Sequence, residues 1–203
     1  MRFASSVLAL ALFSAPLVYA DAIPYPTPGT AFAGVTLTAA NTGDITGYFI
    51  GQSAGDDSQI RLVDVTSGYT SDWFFPNHST AVGATANFGS VTAGDTLVFE
   101  LQNTSINQIF ASDATLSADG LNHAYSTAYT GGDLNGSTFP VGTYIGFEDL
   151  PGGGDFDYND NQFLFTNIGA PTPVGVTPEP SSLLLLGTGI LGAAGAVRRK
   201  LAR

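Results

Sequence analysis

Short apolar or alternating runs, separated by Gly, Asn, Asp and Ser, fill the chain between residues 35 and 166, and no long helical period interrupts them. This pattern is typical of antiparallel β-strands joined by turns. In the run 96–101, Leu97, Phe99 and Leu101 alternate with Thr, Val and Glu, so this strand is expected to bury one face. The predicted strands are Val35–Ala39, Ile45–Ile50, Gln59–Val65, Asp95–Leu101, Gln108–Ala111, Ala124–Tyr129, Thr143–Phe147 and Gln162–Thr166. Short strands in this number predict an all-β, antiparallel β-sandwich, with a jelly roll as the close alternative.

The most acidic stretch runs from Glu148 to Asp160 and reads EDLPGGGDFDYND. It contains five carboxylates and lies between the apolar runs 143–147 and 162–165, which predicts a β-hairpin with a long acidic loop. The nearest basic residues in the sequence are Arg61 upstream and Arg198 downstream. Two carboxylates about 6 Å apart repel each other by roughly 0.7–3 kcal/mol for effective dielectrics of about 80 to 20. Five in one loop therefore indicate a bound cation.

Calcium suits such a loop because it is a hard ion that takes six to eight oxygen ligands in flexible geometry. In an extended segment, the alternating Asp155, Asp157 and Asn159 would point to one side and the two intervening aromatic residues to the other. The spacing begins like an EF-hand loop but lacks its Gly at the sixth position and its Glu at the twelfth. The predicted ligands are Asp155, Asp157, Asn159 and Asp160, with Glu148 or Asp149 completing the shell. The alternative is a solvated acidic loop without metal.

A family resemblance rests on the same residues. The run Gly146–Leu150, followed by GGGDFDYND and an aromatic strand, resembles the DUF4114 family, and Ala93–Phe99 and His123-Ala-Tyr are weaker matches. The resemblance covers roughly residues 40–167. It implies a β-rich bacterial extracellular module and leaves the biochemical role open.

The charge of the chain is strongly unbalanced outside its two ends. Residues 21–177 contain sixteen acidic residues and Arg61 as their only Lys or Arg, which gives a formal charge of −15. Such a body repels the phosphates of nucleic acids and attracts cations, so no nucleic-acid partner is expected. The acids outside the loop are explained equally well by surface solubility. The chain has no cysteine, which excludes disulfides, thiolate nucleophiles and Cys-ligated zinc.

The N-terminus has the pattern of a secretory signal peptide. Arg2 supplies a positive start, Val7–Leu17 is an apolar stretch, and Val18-Tyr19-Ala20 places small residues where a signal peptidase cuts. We therefore predict cleavage after Ala20.

The C-terminus carries a second apolar stretch, Leu183–Val197, followed by the basic end RRKLAR. Fifteen helical residues span about 22 Å, which is short of a roughly 30 Å hydrocarbon core, but snorkelling arginines reduce the gap. A single C-terminal transmembrane helix is predicted, with its basic end in the cytoplasm.

Pro178, Glu179 and Pro180 precede this apolar stretch. The order of Pro-Glu-Pro, apolar helix and basic terminus over 178–203 resembles the PEP-CTERM sorting signal. The resemblance implies an exosortase as processing partner. It also implies an inner-membrane-tethered intermediate and delivery to the cell surface or extracellular matrix of a Gram-negative, exopolysaccharide-producing bacterium. The predicted division is a signal peptide at 1–20, a linker at 21–34, a DUF4114-like domain at 35–168, a Pro-rich linker at 169–177 and a sorting and anchor segment at 178–203.

These features predict a non-catalytic, exported surface or matrix protein. A carbohydrate-binding module, with the aromatic run 73–75 as its platform, is the first alternative. A glycan hydrolase using the carboxylates of Glu100 and Glu148 is the second. His78 and His123 belong to no motif, and structural roles are predicted for both.

Overall fold

A computed structural model of the chain describes residues 23–169 and 172–173. The predicted signal peptide and the sorting segment lie outside these residues. The strands are β1 Val35–Thr38, β2 Gly43–Gln52, β3 Ser58–Asp64, β4 Thr85–Val91, β5 Thr96–Asn103, β6 Gln108–Ala111, β7 Ala124–Leu134, β8 Ser137–Phe147, β9 Asn161–Phe165 and β10 Thr172–Pro173, and the 3-10 helices are Ala114–Leu116 and Pro151–Gly153. Neither helix in this part of the chain is long and apolar enough to cross a lipid bilayer.

The strands form two antiparallel sheets. One has the order β10-β1-β5-β3, with β6 also paired to β5, and the other has the order β4-β2-β9-β8-β7. Side chains from both sheets share one core, in which the Phe99 ring of β5 lies 4.0 Å from the Phe165 ring of β9. Two sheets that bury a common core in this way form a β-sandwich, as the sequence predicts.

All eight predicted strands are present, Gln108–Ala111 with the same ends and the other seven with shifted ends, but the sequence pattern missed β4, β10, the second half of β7 and the first half of β8. Strand β4 reads TANFGSV and buries only Phe88 and Val91, so it gives little apolar signal. The first half of β8 contains Pro140, a residue that argues against a central strand, and it pairs only with β7. The backbone of β4 is held in a strand by its pairing with β2, and the first half of β8 by its pairing with β7.

Strand β5 buries more than the predicted single face. Leu97, Phe99 and Leu101 lie in the shared core, as expected. On the opposite face Val98 is also buried and lines a groove beside the helix Ala114–Leu116, and Glu100 is held by Arg61. Segment 112–114 and the side chain of Arg61 thus lie beside β5 on the face that is turned away from the shared core.

The segment before β1, predicted as a linker, packs on the domain in its described part. The buried ring of Tyr25 lies 4.9 Å from the ring of Tyr125 on β7 and 4.8 Å from the ring of Tyr158 in the acidic loop. The backbone N–H of Gly29 donates to the carbonyl of Phe156 at 3.2 Å, and that of Phe32 donates to the Tyr158 hydroxyl at 2.7 Å. These contacts place Tyr25, Gly29 and Phe32 against the acidic loop.

Candidate metal centre

The acidic stretch 148–160 is a hairpin loop, as predicted. Strands β8 and β9 are antiparallel neighbours, and their pairing ends where Phe147 faces Asn161. The loop turns first through the 3-10 helix Pro151–Gly153. Its thirteen residues are therefore held at both ends by the central part of the second sheet.

Three consecutive glycines let the loop fold tightly back on its first residue. Gly152, Gly153 and Gly154 have φ of 80°, 81° and 56°, a region that favours glycine. A Cβ on Gly154 would overlap Oε2 of Glu148, and a Cβ on Gly153 would overlap the Phe156 ring. The run Gly-Gly-Gly is thus required by backbone conformation and by close packing.

The segment after the glycines is not extended, which corrects the sequence interpretation. Phe156 and Tyr158 both have φ of 55°, a left-handed conformation that costs a non-glycine residue about 1–2 kcal/mol. The ring of Tyr158 is nonetheless buried, as expected from its apolar side, among Tyr25 and Tyr125. Strained backbone of this kind concentrates at functional sites, where surrounding contacts hold it in place.

Three carboxylates meet inside the loop, and we refer to Glu148, Asp155 and Asp157 as the loop cluster. One oxygen from each lies within 4.8 Å of the others. Glu148 is fully buried, its Oε1 accepts the backbone N–H of Tyr158 at 2.5 Å, and its Oε2 has no hydrogen-bond partner. A buried carboxylate oxygen without a partner is costly unless a proton or a cation satisfies it.

The loop cluster has no basic side chain among the described residues to neutralise it. Burial raises the pKa of Glu148 to about 7, and the charges of Asp160, Asp155 and Asp157 add to this, although the N–H of Tyr158 lowers it. Arg61, the one Lys or Arg in the described residues, binds Glu100 at 2.7 Å. The loop cluster therefore carries negative charge that other side chains of the fold do not compensate.

Two further predicted ligands are not part of the loop cluster, and we refer to Asp149 and Asp160 as the inner pair. Consecutive residues of an extended segment point in opposite directions, so Asp149 turns away from the side that Glu148 faces. The Asp149 carboxylate accepts the Ser58 hydroxyl at 3.1 Å, and its backbone N–H donates to Asp160 Oδ2 at 3.1 Å. Asn159, the sixth predicted ligand, donates its amide to Asp157. The structure thus brings oxygens of three of the six predicted ligands within 4.8 Å of one another, and the charge of Asp160 also acts on Glu148.

His123 and Asp119 hold the base of the loop, and sequence reasoning missed Asp119. The backbone N–H of Glu148 donates to the carbonyl of His123 at 3.0 Å, and Nδ1 of the buried His123 ring lies 3.2 Å from the carbonyl oxygen of Glu148. Nε2 of the same ring lies 3.0 Å from Asp119, whose carboxylate also accepts the N–H of Gly152 at 2.8 Å. These contacts give His123 the structural role predicted for it. No motif in the sequence distinguishes Asp119 from the other exposed acids.

The residues of the two alternative functions are not brought together. Phe75 is buried in the core, Phe74 packs its ring 4.7 Å from Phe88, and the guanidinium of Arg61 lies 4.3 Å over the Trp73 ring. These aromatic side chains therefore do not form one exposed platform. Glu100 lies on β5 of the first sheet and Glu148 follows β8 of the second, so the two carboxylates belong to different sheets.

Two family models match the chain. One is described as a domain of unknown function (DUF4114) and matches residues 67–166, and the other is described as a PEP-CTERM protein-sorting motif and matches residues 176–200. The chain is therefore similar to the DUF4114 family over these 100 of its 203 residues, and it matches the PEP-CTERM sorting motif at its C-terminal end. The DUF4114 match runs from the turn after β3 through β9 and includes the whole acidic loop. No curated protein and no solved structure matches the chain.

The PEP-CTERM motif gives the destination of the chain in outline. It implies an exported protein that is at first membrane-associated and is processed by an exosortase. The motif lies outside the described residues. The DUF4114 match, by its own description, assigns no function, so the function must be inferred from the loop.

Proposed function

We propose that this protein is a non-catalytic component of the cell surface or exopolysaccharide matrix and that its acidic hairpin loop is closed by calcium. The PEP-CTERM motif supports export and exosortase processing. Exopolysaccharide is the partner proposed for the released domain. The calcium ion would act structurally, holding a strained loop in one conformation outside the cell.

The observation that carries the proposal is the environment of Glu148. Its side chain is fully buried, one carboxylate oxygen has no partner, and oxygens of Asp155 and Asp157 lie within 4.8 Å. An unpaired carboxylate of this kind either takes up a proton or binds a cation. With two more carboxylates beside it, a divalent cation neutralises the group more completely than one proton does.

The donor atoms favour calcium over other metals. All three members of the loop cluster offer carboxylate oxygens, the ligands that a hard cation prefers, whereas structural zinc sites are built mainly from Cys and His. The two histidines have other partners, since His78 lies 2.9 Å from Asp57 and His123 lies 3.0 Å from Asp119. Residues Glu148, Asp155 and Asp157 would hold the ion.

Calcium titration of the purified full chain in a mild detergent tests the proposal. We expect calorimetry to give a dissociation constant of about 0.1–1 mM, the range of extracellular calcium modules. The paired substitution Asp155→Asn and Asp157→Asn removes two charges from the loop cluster and should weaken binding by roughly tenfold or more, because ligand charge sets calcium affinity.

The matched control removes the same charge elsewhere. Asp72→Asn with Asp133→Asn changes two exposed acids outside the loop and should leave the affinity within about twofold, because exposed charges are screened by salt. Equal losses in the two double variants would mean that calcium responds only to the overall negative charge of the domain. That result would refute the loop site.

A further inference from the structure

A pocket that is open to solvent lies between the end of β2, the loop before β4 and the turn that joins β7 to β8. Its volume of about 350 Å³ is in the range of pockets that bind small molecules. The turn is fixed against β2, because Nδ2 of Asn135 donates to the carbonyl of Ile50 at 3.1 Å. A Cβ on Gly51 would lie 2.9 Å from the same Nδ2, so glycine at this position lets the turn approach β2 closely. Separate parts of the chain thus form one cavity.

The lining of this pocket is polar, and no Asp, Glu, Lys or Arg of the described residues contributes to it. His78 uses both ring nitrogens on the protein, since Nδ1 lies 2.9 Å from Asp57 and Nε2 lies 3.1 Å from the carbonyl of Ala54. The lining therefore contains no carboxylate, although the domain around it is strongly acidic. We refer to this cavity as the amide pocket, and its side-chain amides and hydroxyls belong to Gln52, Ser53, Asn77, Thr80, Asn135 and Gln162.

Part of the polar lining is held in place by hydrogen bonds to the rest of the fold. Oδ1 of the buried Asn77 accepts the backbone N–H of Ser58 at 3.0 Å. Oε1 of Gln162 accepts the hydroxyl of Tyr144 at 3.3 Å, and its Nε2 donates to the carbonyl of Asn159 at 3.0 Å. Side chains that are already ordered lose little conformational entropy when a ligand binds, which favours affinity.

Other groups of the amide pocket keep hydrogen-bonding capacity for a ligand. The hydroxyl of Thr80 donates to the carbonyl of Pro76 at 2.8 Å, so its oxygen can still accept a hydrogen bond. The amide of Asn135 likewise donates through Nδ2 and has an acceptor oxygen. Oε1 of Gln52 is buried and has no hydrogen-bond partner. An unsatisfied buried acceptor is costly, and a hydroxyl donor bound in the pocket would remove that cost.

These groups suit a ligand rich in hydroxyls. An amide offers both a donor and an acceptor, and each hydroxyl of a sugar also donates and accepts. Val82, which is 39 % exposed, adds an apolar side chain that can contact the C–H groups of a sugar ring. The described lining has no guanidinium or ammonium group to pair with the carboxylate of an acidic sugar.

We propose that the amide pocket binds a neutral sugar unit of a polysaccharide. This inference rests on the proposed function, which names exopolysaccharide as the partner, and it specifies where the chain is bound and which sugars are preferred. The negative charge of the domain favours the same choice, because it repels acidic polysaccharides.

Ligand-observed NMR titration of the full chain with oligosaccharides tests the amide pocket. The probes are short neutral oligomers of glucose, galactose and mannose, each with the corresponding uronic acid oligomer as its acidic counterpart, and the detergent used has no sugar headgroup. We expect a neutral probe to bind and its acidic counterpart to bind roughly tenfold or more weakly, because like charges repel.

Asn135→Gly removes one amide of the pocket and keeps the turn, since the φ of 45° at this position suits glycine. Affinity for the neutral probe should fall roughly three- to tenfold, the effect of losing about one hydrogen bond. Asn107→Gly is the matched control, because Asn107 has φ of 53° in the turn between β5 and β6, away from the pocket lining. It should leave the affinity within about twofold. Thr80→Val removes a hydroxyl at nearly constant shape, and the loss expected for Asn135→Gly is expected for it too, so it replaces Asn135→Gly if near-UV circular dichroism shows that variant to be unfolded.

The possible results separate this inference from the proposed function. A neutral probe whose affinity is unchanged by both Asn135→Gly and Thr80→Val would overturn the amide pocket and keep a saccharide as the partner. Failure of every neutral probe to bind, or a preference for the uronic acid oligomers, would also overturn the pocket. Calcium titration of the same samples reports on the loop cluster independently. A chain that binds a neutral probe through Asn135 and Thr80 but binds no calcium would support the amide pocket and refute the loop site.

Discussion

In calcium-free buffer the domain should melt at a lower temperature at about pH 7.5 than at about pH 5, the reverse of the usual behaviour of carboxylates stabilised in the folded state. The folded-state pKa values of Glu148 and Asp160 are raised, mainly by burial, from 4.5 and 3.8 to about 7. Between about pH 4.5 and 7 the folded protein keeps protons that the unfolded chain has released, so the free energy of unfolding falls as the pH rises. One unit of difference between the folded and unfolded pKa corresponds to about 1.4 kcal/mol, so the raised pKa of Glu148 alone lowers the free energy of unfolding by about 3 kcal/mol over this pH range.

Calcium should offset much of this loss because it replaces the protons. At about 10 mM calcium and a dissociation constant of about 0.1–1 mM, ligand binding stabilises the folded state by about 1.4–2.7 kcal/mol per site. For a domain of this size each kcal/mol raises the melting temperature by roughly 2–4 °C, so a rise of about 3–10 °C is expected near pH 7.5. The rise should be smaller near pH 5, where protons compete for the same oxygens.

Differential scanning calorimetry at the two pH values, with calcium and with chelator, measures both effects. Magnesium at the same concentration is the control. It requires a smaller and more regular coordination shell of oxygen ligands than calcium does, so it should stabilise the domain less. A calcium-free stability that increases steadily from about pH 5 to 7.5 would contradict the buried, unneutralised carboxylates described above.

Glu148→Gln should stabilise the calcium-free domain near neutral pH and at the same time weaken calcium binding. Gln has nearly the same shape, and its amide oxygen can still accept the N–H of Tyr158. The substitution removes the buried charge, so the gain near pH 7.5 should approach about 2–3 kcal/mol. It also removes the central carboxylate of the loop cluster, so calcium affinity should fall roughly tenfold or more.

Glu100→Gln is the matched control, because Glu100 is also buried but has a cationic partner. Its carboxylate accepts from Arg61 at 2.7 Å, so loss of its charge leaves the guanidinium without its counter-ion and should destabilise the domain. Calcium affinity should not change. If thermal unfolding shows Glu148→Gln to be as destabilising as Glu100→Gln in chelator, the Glu148 carboxylate has a stabilising partner other than calcium.

Much of the fold can be predicted from local patterns of apolar residues in the sequence. Alternation at Leu97, Phe99 and Leu101 predicts the core face of β5, and the apolar runs on either side of the acidic stretch predict the β8–β9 hairpin. Strand β4 could not be found in this way, since its pairing with β2 depends on sheet geometry and its sequence is largely polar. Local pattern therefore predicts strands with a strong apolar face and misses largely polar strands such as β4.

The candidate site was predicted in composition but not in arrangement. Simple alternation puts Asp155, Asp157 and Asn159 on one side of an extended segment, whereas Phe156 and Tyr158 are held in a left-handed conformation. Contacts from distant parts of the chain hold that conformation. Tyr25 and Phe32 contact Tyr158, and the Asp119 carboxylate accepts the backbone N–H of Gly152. No local rule relates these residues to the loop, so the division into a loop cluster and an inner pair appears only in the folded protein.

A crystal structure of the domain grown with calcium, with anomalous scattering to identify the ion, is the most direct test of the loop cluster. We expect an ion about 2.3–2.6 Å from Oε2 of Glu148 and from carboxylate oxygens of Asp155 and Asp157. A well-ordered loop that shows no ion at saturating calcium would contradict the calcium-closed hairpin. The acids of the loop would then act through their charge alone.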